Sequence, residues 1–358
     1  MKILLLGEFS GVHLNLANGL RHLGHTVLFA ADGDGYRNFK SDIFINTNAL
    51  NVKKIVKDFM HPINEIENFK GYDVVQLISP FIFNKKIPFY NTIFLRYLKK
   101  YNKKIYLISA GSSYNIYKAS FALKYTSCTG CLQYDKKYGC PQIKPYIKFV
   151  TKDVESFVDG IIPLAYEYQN GYKDHPKRKN TISFPVDTNK LKYQENKLTN
   201  GVVTFFHGLN EGRSGYKGTR FIKEAMENVR AKYPSDVDIA FAGNLSFEEY
   251  TELLTKTNVV IDQAYSYCLA MNALSSMAMG RVVMGGAEPV AYEYLGKDIY
   301  NPAINILPDV KQIEKTMIDI LDRKDEIIEM GLASRTFVEQ YFNYTDVAKD
   351  FLNTWKED

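Results

Sequence analysis

Several features that would point directly to a function are missing from this 358-residue sequence. No uninterrupted apolar run reaches the roughly 18 residues that a membrane-spanning helix needs. The apolar start, MKILLLGEF, is too short for a signal peptide, and no small-residue cleavage site follows it. We therefore expect a cytoplasmic protein whose four cysteines are reduced thiols or metal ligands rather than disulfides.

Motifs of common nucleotide enzymes are missing as well. No loop contains G-x-G-x-x-G, which disfavours a nicotinamide or flavin cofactor. The chain has no P-loop, because no Gly-Lys-Ser/Thr follows a glycine at the required spacing. Internal repeats and low-complexity segments are also absent. With 358 residues, of which 46% are hydrophobic, the chain is long and apolar enough for two ordinary folded domains.

Three of the cysteines, Cys128, Cys131 and Cys140, lie close together in the irregular stretch Ala119–Tyr146. A C-x2-C pair is a usual start for a zinc site. The third cysteine follows after eight further residues, and no fourth ligand is evident near it. We therefore expect free thiols in a loop, with a structural zinc as the alternative, and we predict no metal in the candidate active site.

Charge is distributed unevenly along the chain. The net charge is +5, yet residues 1–187 hold 26 Lys and Arg against 15 Asp and Glu. The block Lys85–Lys148 has 13 basic residues and one acidic residue, Asp135. The aromatic residues interleaved with its bases are Phe89, Tyr90, Phe94, Tyr97 and Tyr101.

Such a block predicts an anionic partner, namely a membrane surface or a pyrophosphate-bearing lipid. An ordinary amphipathic helix that shows its lysines to water is the structural alternative. Nucleic acid is the less favoured partner, because no recognised binding motif accompanies the charge, and we predict no nucleic-acid binding.

The first half of the chain alternates strands and helices. Lys2–Leu6 is a continuous apolar strand, Val12–Leu23 has helical spacing, and His25–Ala30 is a second strand. This order is the opening of a doubly wound α/β domain. Further strands are predicted at Tyr72–Ser79, Lys104–Ala110 and Asp159–Ala165.

The first strand-to-helix loop contains two candidate site residues. Gly11 ends the loop and is predicted to contact a bound ligand. His13 stands at the start of the following helix. It is either a hydrogen-bonding residue or a general base.

The most informative stretch is Phe205–Ala225, FFHGLNEGRSGYKGTRFIKEA. It follows a short β-branched strand and contains glycines at 208, 212, 215 and 218, with Arg213 and Lys217 among them. Helical spacing begins at Thr219. Free backbone N–H groups, two cations and a helix N-terminus together favour an anion, and we predict a diphosphate site. A solvated turn with two basic residues is the alternative.

The second half repeats the strand and helix pattern. Strands are predicted at Asp236–Gly243, Asn258–Asp262 and Arg281–Met284, and the helix Leu269–Met279 lies before the last of them. The carboxyl ends of parallel strands form the ligand-binding edge of such a sheet. We therefore predict ligand contacts at this edge from Gly208, Gly218, Gly243, Asn244, Asp262 and Gln263. Glu288 follows the last strand in a glycine loop and joins this group, with a surface carboxylate as the alternative.

Two motifs resemble the donor site of GT-B glycosyltransferases of family 4. Arg213 and the pair Lys217-Gly218 match the family's grip on the diphosphate of a nucleotide sugar. Met277–Gly280, M-A-M-G, matches the end of its donor helix. The resemblance extends over most of the chain.

The chain departs from that family at two glutamates. In the family the first glutamate contacts the sugar and the second takes the ribose hydroxyls. Tyr267 and Ser275 stand at these positions here. A serine cannot replace the bidentate hydrogen bond of a glutamate to the ribose diol, so either other groups bind the donor or the chain no longer binds a nucleotide sugar well. Ser275 stays a candidate donor contact, and Glu288 is the nearest carboxylate that replaces the glutamates by position, with Asp262 and Gln263 as other candidates.

The resemblance also implies an organisation. It predicts two Rossmann-like domains facing across a cleft, with an acceptor domain at residues 1–187 and a donor domain at 188–340. The junction lies at Ser183–Asp187, and Lys190–Asn200 is a polar linker. Residues 341–358 form a helix that crosses back to the first domain. The apolar residues expected to pack that crossing are Phe337, Tyr341, Phe342, Phe351 and Trp355.

The implied activity is transfer of a hexosyl group from a UDP- or GDP-sugar to a glycan or polyprenyl-diphosphate-linked acceptor in surface polysaccharide synthesis. No cofactor or metal is required, because Arg213 and Lys217 stabilise the charge that grows on the leaving diphosphate. The family retains anomeric configuration, while an inverting reaction with His13 as base stays open. The alternative function is a non-catalytic GT-B module that binds or stabilises a partner transferase.

Overall fold

The computed structural model describes residues 1–45, 66–81, 88–111, 113–134, 144–209 and 214–357. The chain divides into two compact units. Unit 1 consists of Met1–Lys118, Pro141–Pro185 and Tyr344–Asp358, and unit 2 consists of Ala119–Cys140 and Val186–Asn343.

Unit 1 is built on a parallel sheet with the strand order β3-β2-β1-β4-β5-β6. Its strands are β1 (Lys2–Leu6), β2 (Thr26–Ala31), β3 (Ile43–Phe44), β4 (Val74–Leu77), β5 (Lys104–Ser109) and β6 (Gly160–Pro163). Leu4 of β1 pairs with Leu28 on one side and Val75 on the other. The predicted continuous apolar runs form buried strands, as in Lys2–Leu6, where four successive residues are buried and both faces of the strand are therefore covered.

The helices of unit 1 pack on this sheet. They are α1 (Val12–His22), α2 (Pro88–Tyr101), α3 (Tyr114–Ser120), whose last residues pass into unit 2, α5 (Pro145–Phe157), α6 (Tyr166–Asn170) and α13 (Tyr344–Lys356). α1 and α13 approach so closely at Gly19 that a Cβ atom there would lie 2.4 Å from the Tyr344 carbonyl oxygen. Trp355 of α13 donates from Nε1 to Oε1 of Gln76 on β4 at 3.2 Å.

Unit 2 has a second parallel sheet, with the strand order β11-β10-β9-β7-β8. Its strands are β7 (Val203–Leu209), β8 (Val237–Gly243), β9 (Val259–Ile261), β10 (Val282–Gly285) and β11 (Ile304–Asn305). Both units are therefore Rossmann-like α/β folds, as the sequence predicts.

The helices of unit 2 include one that the sequence did not indicate. They are α4 (Ser127–Tyr134), α7 (Ser214–Lys217), α8 (Thr219–Lys232), α9 (Phe247–Thr255), α10 (Met271–Ala278), α11 (Val310–Asp322) and α12 (Ile327–Tyr341). Ser246 and Glu249 form a capping box at the start of α9, because Ser246 accepts from the Glu249 N–H while the Glu249 carboxylate accepts from the Ser246 N–H. The helix at 127–134 was predicted as irregular chain, since its short apolar spacing is weak.

The segment Ala119–Cys140 differs from the predicted boundaries, because it belongs to unit 2 although the residues on both sides of it belong to unit 1. We call its described part, Ala119–Tyr134, the strap. Gly130 of α4 lies against α7, where a Cβ atom would stand 2.3 Å from the Gly215 carbonyl oxygen. Ser127 Oγ also donates to the Tyr265 carbonyl at 3.2 Å. These contacts bind the strap to unit 2.

The junction between the units lies between Pro185 and Val186, within the predicted stretch. The predicted polar linker is docked on unit 2 through a fully buried asparagine, Asn196. Its Oδ1 accepts from Asn258 Nδ2 at 2.9 Å and from the buried guanidinium of Arg281 at 3.3 Å. Arg281 also donates to the Thr257 carbonyl at 2.9 Å, so its charge is solvated by carbonyl and amide oxygens of the chain.

The aromatic residues assigned to the crossing helix divide between the units. Phe351 and Trp355 lie in α13 of unit 1, with ring centroids 5.5 Å apart. Phe337, Tyr341 and Phe342 pack together in unit 2 instead. Among the described residues, no helix has the length and apolarity to span a membrane.

Candidate functional site

Lys217 marks the candidate phosphate site in unit 2. It ends α7, and Gly218 follows it with φ +76° at the N-cap of α8. The Lys217 ammonium lies 3.3 Å from Asp262 Oδ1 and 3.4 Å from the Gly208 carbonyl oxygen. Both contacts are long, and the side chain keeps 17% of its surface exposed. A fixed, partly exposed cation therefore stands beside the N-terminus of a 14-residue helix. Arg213 lies outside the described residues.

A buried histidine, which sequence reasoning did not select, supports the start of α8. His207 of β7 is fully buried, with Nδ1 2.7 Å from the Ile261 carbonyl oxygen and Nε2 2.9 Å from Thr219 Oγ1. Burial, reinforced by the nearby Lys217 charge, lowers the pKa of His207 to about 4. The ring is therefore neutral at pH 7, and its partners assign the proton to Nδ1, so Nε2 accepts from the Thr219 hydroxyl.

Asp262 connects three elements of the site. It directly follows β9, is 2% exposed, and accepts at Oδ1 from Asn272 Nδ2 at 2.9 Å as well as from Lys217. Asn272 stands in the first turn of α10 and was not predicted as a site residue. Gly285, at the end of β10, brings its backbone against Asp262, since a Cβ atom there would lie 3.6 Å from the Asp262 Cβ. Gln263, the next residue, is buried.

Glu288 lies on the loop after β10 and is held by two donors. Tyr125 of the strap donates from its hydroxyl to Glu288 Oε1. Asn305 of β11 donates to the same oxygen at 3.0 Å. The alternative reading of Glu288 as a solvated loop carboxylate does not fit this arrangement, because the group is half-buried and engaged by side chains from two other segments.

The two positions of the missing glutamates have different surroundings. Tyr267 is 7% exposed, accepts from the Lys124 N–H at 3.1 Å, and lies 4.8 Å from the Tyr125 ring. It therefore holds the strap in place. Ser275 is buried in α10.

Gly243 and Asn244 lie at the end of β8, beside the end of β7. A Cβ atom at Gly243 would stand 3.0 Å from the Leu209 carbonyl oxygen. Asn244 has φ +56° and is exposed. Strand pairing thus brings Gly208, Gly243, Asp262 and Glu288 to one edge of the unit 2 sheet.

The remaining predicted residues, Gly11 and His13, belong to unit 1. Gly11 has φ +88° and caps α1. His13 is fully buried, with Nδ1 2.8 Å from the Gly7 carbonyl oxygen, and Nε2 has no partner among the described residues. Burial lowers the pKa of His13 to about 3. A buried imidazole of this pKa is a weak base.

A carboxyl group that was not predicted lies next to them. Glu8 is 3% exposed, and its Oε2 accepts from the Leu14 N–H at 2.8 Å in the first turn of α1. Burial raises the pKa of Glu8 to about 8 against the opposing effect of that N–H donor. This side chain fills the N-terminus of α1, the place where a dinucleotide-binding Rossmann domain holds its pyrophosphate.

The described cysteines of the predicted cluster, Cys128 and Cys131, lie in α4 and form no disulfide. Cys140 lies outside the described residues. No group of three or more His, Cys, Asp or Glu side chains in the described part of the chain is arranged to hold a metal ion.

No protein-family model and no curated protein matches the sequence of this chain. Solved structures do match. Sucrose-phosphate synthase from Thermosynechococcus elongatus is 13% identical with a TM-score of 0.60, covering 100% of this chain and 99% of its own. HepE from Anabaena, solved with UDP and glucose, is 10% identical with a TM-score of 0.63, covering 100% of both chains. The chain has the GT-B fold.

The predicted fold class is therefore confirmed, while identities this low carry no more than the fold. UDP-GlcNAc 2-epimerase from Neisseria meningitidis, solved with UDP-GlcNAc, matches as well, with 11% identity, a TM-score of 0.57 and 100% coverage of both chains. Transferases and epimerases thus share this architecture. The fold alone therefore does not distinguish these activities, and the site residues have to.

Proposed function

We propose that the chain is a glycosyltransferase that binds the diphosphate of a nucleotide sugar at Lys217 in unit 2. The observation that carries this proposal is the Lys217 ammonium, fixed by Asp262 and Gly208 beside the first turn of α8. A helix N-terminus and a cation in one place favour phosphate oxygens. Arg213, four residues before Lys217, is the second cation of this proposal.

The rest of the donor follows the carboxyl edge of the sheet. Gly208 and Gly218 let the backbone approach the diphosphate, and Gly243 and Asn244 lie beside them. Asp262 and Gln263, with Ser275, contact the nucleoside and sugar side. Glu288 takes the sugar hydroxyls that a family 4 enzyme binds with its first glutamate.

During transfer, negative charge grows on the leaving diphosphate, and a preorganised cation stabilises that charge more in the transition state than in the ground state. Lys217 and Arg213 thereby perform the task that a divalent metal performs in other transferases. We propose membership of family 4 and retention of configuration. The buried, weakly basic His13 supports retention over an inverting mechanism with this residue as base.

We further propose that unit 1 binds the acceptor, a glycan or a polyprenyl-diphosphate-linked glycan of a surface polysaccharide. α2 and α5 pack side by side in this unit, joined by a 2.5 Å hydrogen bond from Thr92 Oγ1 to Asp153 Oδ2. Ile93 on α2 is 64% exposed, and Phe149 on α5 is 48% exposed. The exposed bases of the two helices include Arg96, Lys100, Lys148 and Lys152.

Apolar side chains surrounded by bases suit an anionic bilayer surface, so we propose peripheral attachment at the inner face of the cell membrane. The structure changes which residues of the basic block support this proposal. Lys99 and Lys103 form ion pairs with Asp159 at 2.5 Å and Asp73 at 2.7 Å. Phe94 is a core residue, and Tyr97 donates to the Ile66 carbonyl. The side chains of Phe89 and Tyr90 lie outside the described residues.

Calorimetric titration of UDP and GDP into the wild type and Lys217→Ala tests the proposal. Each hydrogen bond to a charged group is worth about 1.5–3 kcal/mol, so Kd is expected to rise roughly 10- to 150-fold in the variant. Lys223→Ala is the matched control, because Lys223 lies on α8 but pairs with Glu227 on the helix surface. Unaltered affinity and turnover in Lys217→Ala would remove this residue from the site.

A donor screen that follows diphosphate release with and without glycan acceptors tests the reaction itself. Release that depends on an acceptor supports transfer. Conversion of the sugar without an acceptor would instead assign an epimerase, the other activity found on this fold.

A non-catalytic GT-B module is the second candidate, favoured by the replacement of both family glutamates by Tyr267 and Ser275. Such a module would stabilise a partner transferase. It predicts no binding of either nucleoside diphosphate at millimolar concentration, whereas the transferase predicts saturable binding. The same titration therefore separates the two.

A further inference from the structure

The two oxygens of the Glu288 carboxylate have unequal surroundings. Oε1 accepts from the Tyr125 hydroxyl and from Asn305 Nδ2. Oε2 accepts no hydrogen bond from any described residue. A carboxylate has about four lone-pair sites, so one side of this group is occupied while the other is open to a ligand.

The backbone that carries Glu288 is held at several points. The Glu288 N–H donates to the Tyr267 carbonyl at 3.1 Å, and the Ala287 N–H donates to Asn305 Oδ1 at 2.9 Å. At Gly286 the loop lies so close to the backbone of Cys268 that a Cβ atom added at Gly286 would stand 2.7 Å from it. Asn305 thus fixes both the backbone and the carboxylate, and little freedom is left to lose when a ligand binds.

Tyr125 is a dependable donor to this carboxylate. Its ring packs against Tyr267 in a tilted arrangement at a centroid distance of 4.8 Å, which limits the positions of the hydroxyl. Burial, and then the bond to Glu288, raise the pKa of Tyr125 far above its usual range, so the hydroxyl keeps its proton at any physiological pH. Hydrogen bonds to a charged acceptor are about twice as strong as neutral ones.

The open oxygen belongs to a residue that follows the strand next to the phosphate site. Lys217 contacts Asp262 at the end of β9, and Glu288 follows the end of the adjacent strand, β10. Neighbouring strands are about 4.8 Å apart, so the two groups follow strand ends that lie side by side, as the diphosphate and the sugar do in a nucleotide sugar.

We propose that Tyr125 is a positioning residue for the donor sugar: together with Asn305 it orients Glu288 so that Oε2 accepts a hydrogen bond from a hydroxyl of the bound hexose. The strap, which is flanked in sequence by residues of unit 1, thereby completes the sugar-binding part of unit 2. This inference rests on the proposed function, since it needs a diphosphate at Lys217. Tyr125 itself touches neither the nucleotide nor the sugar in this arrangement.

The inference predicts a split between two affinities, which calorimetry can measure. UDP is compared with UDP-glucose and UDP-GlcNAc, and GDP with GDP-mannose. For the preferred sugar nucleotide, the ratio of its Kd to that of the free diphosphate is expected to rise about tenfold in Tyr125→Phe and in Glu288→Gln, while the Kd of the diphosphate changes less than twofold. The double variant is expected to show no larger rise than either single one, because both changes remove one interaction.

Tyr134→Phe is the matched control. It removes a hydroxyl from the same strap, but Tyr134 packs on Phe221 and Tyr265 rather than on Glu288. Its affinity ratio is expected to equal that of the wild type. Equal thermal midpoints of all variants establish that each one is folded.

The possible failures are distinguishable. A wild type that binds neither UDP nor GDP would reject the proposed function and this inference with it. Binding of the diphosphates with an unchanged ratio in Tyr125→Phe would reject this inference alone. So would an equal loss of affinity for diphosphate and sugar nucleotide, because the strap would then support the phosphate site in general.

Discussion

The buried carboxyl of Glu8 makes a quantitative prediction about stability. Its pKa is raised from 4.5 to about 8 in the folded chain. A carboxyl whose pKa is higher in the folded than in the unfolded chain makes its full contribution to stability at low pH. This contribution is lost as pH rises from the unfolded pKa to the folded pKa. Each pKa unit corresponds to about 1.4 kcal/mol. Between pH 6.5 and 8, linkage gives a loss of about 1.5 kcal/mol in the free energy of unfolding.

The substitution Glu8→Gln is expected to remove this loss, because the amide keeps the size of the side chain but does not ionise. Two neighbouring groups accompany Glu8, namely Asp34, whose charge also raises its pKa, and His13. Both are present in the wild type and the variant, so the difference between the two curves isolates Glu8. The pKa of His13 is lowered to about 3, so this residue destabilises the fold as pH falls below 6.5. Its effect has the opposite sign to that of Glu8 and lies below the pH range of the experiment.

The assay is urea unfolding followed by tryptophan fluorescence. Trp355 is the only tryptophan in the chain, is 3% exposed, and lies in unit 1 with Glu8. Its signal therefore reports the unit in question even if the two units unfold separately. Glu67→Gln, an exposed carboxyl of the same unit, is the control and is expected to follow the wild type. Parallel curves for wild type and Glu8→Gln between pH 6.5 and 8 would refute the argument.

Two further predictions concern the membrane and metals. Charge reversal at Arg96, Lys100, Lys148 and Lys152 is expected to weaken cosedimentation with anionic liposomes and to leave UDP affinity intact, whereas reversal at the paired Lys99 and Lys103 is expected to weaken it less. Binding of the wild type to the liposomes should fall as salt rises, because screening acts over about 10 Å at 0.1 M. Equal partition of all variants would mean that this face is merely solvated. EDTA is expected to leave turnover intact, since we propose that cations of the chain bind the diphosphate. A loss of activity that added metal reverses would contradict this prediction. Release of about one zinc per chain would support the structural-zinc alternative for the cysteines.

The sequence predicts those parts of the fold that depend on local pattern. Lys2–Leu6 is a strand with the predicted bounds, because an apolar run buried on both faces needs no distant information. The capping box of Ser246 and Glu249 likewise depends on local pattern, because its two hydrogen bonds lie within four residues of chain. Strand ends could also be placed on one edge, since every connection in a doubly wound sheet is parallel.

The parts that the sequence did not predict depend on contacts between distant residues. Tyr125 and Glu288 are 163 residues apart, and no spacing rule links them. The buried guanidinium of Arg281 was equally hidden, because two of its partners, the Gln194 carbonyl and Asn196 Oδ1, lie in a stretch that reads as a polar linker. Asn272 supports Asp262 across ten residues that include a loop, so its role depends on how α10 begins. The roles proposed for the predicted site residues stay predictions.

The packing of α13 against α1 bears on how the chain is made. Gln76 and Trp355 are 279 residues apart, so unit 1 joins residues that leave the ribosome early with residues that leave it much later. Unit 2, apart from the strap, is a continuous stretch that is fully synthesised before α13 appears. Contacts of such long sequence separation slow folding. During synthesis, the apolar side of α1 has to wait for its partner, so nascent unit 1 is where a chaperone would act, and removal of α13 would expose that surface permanently.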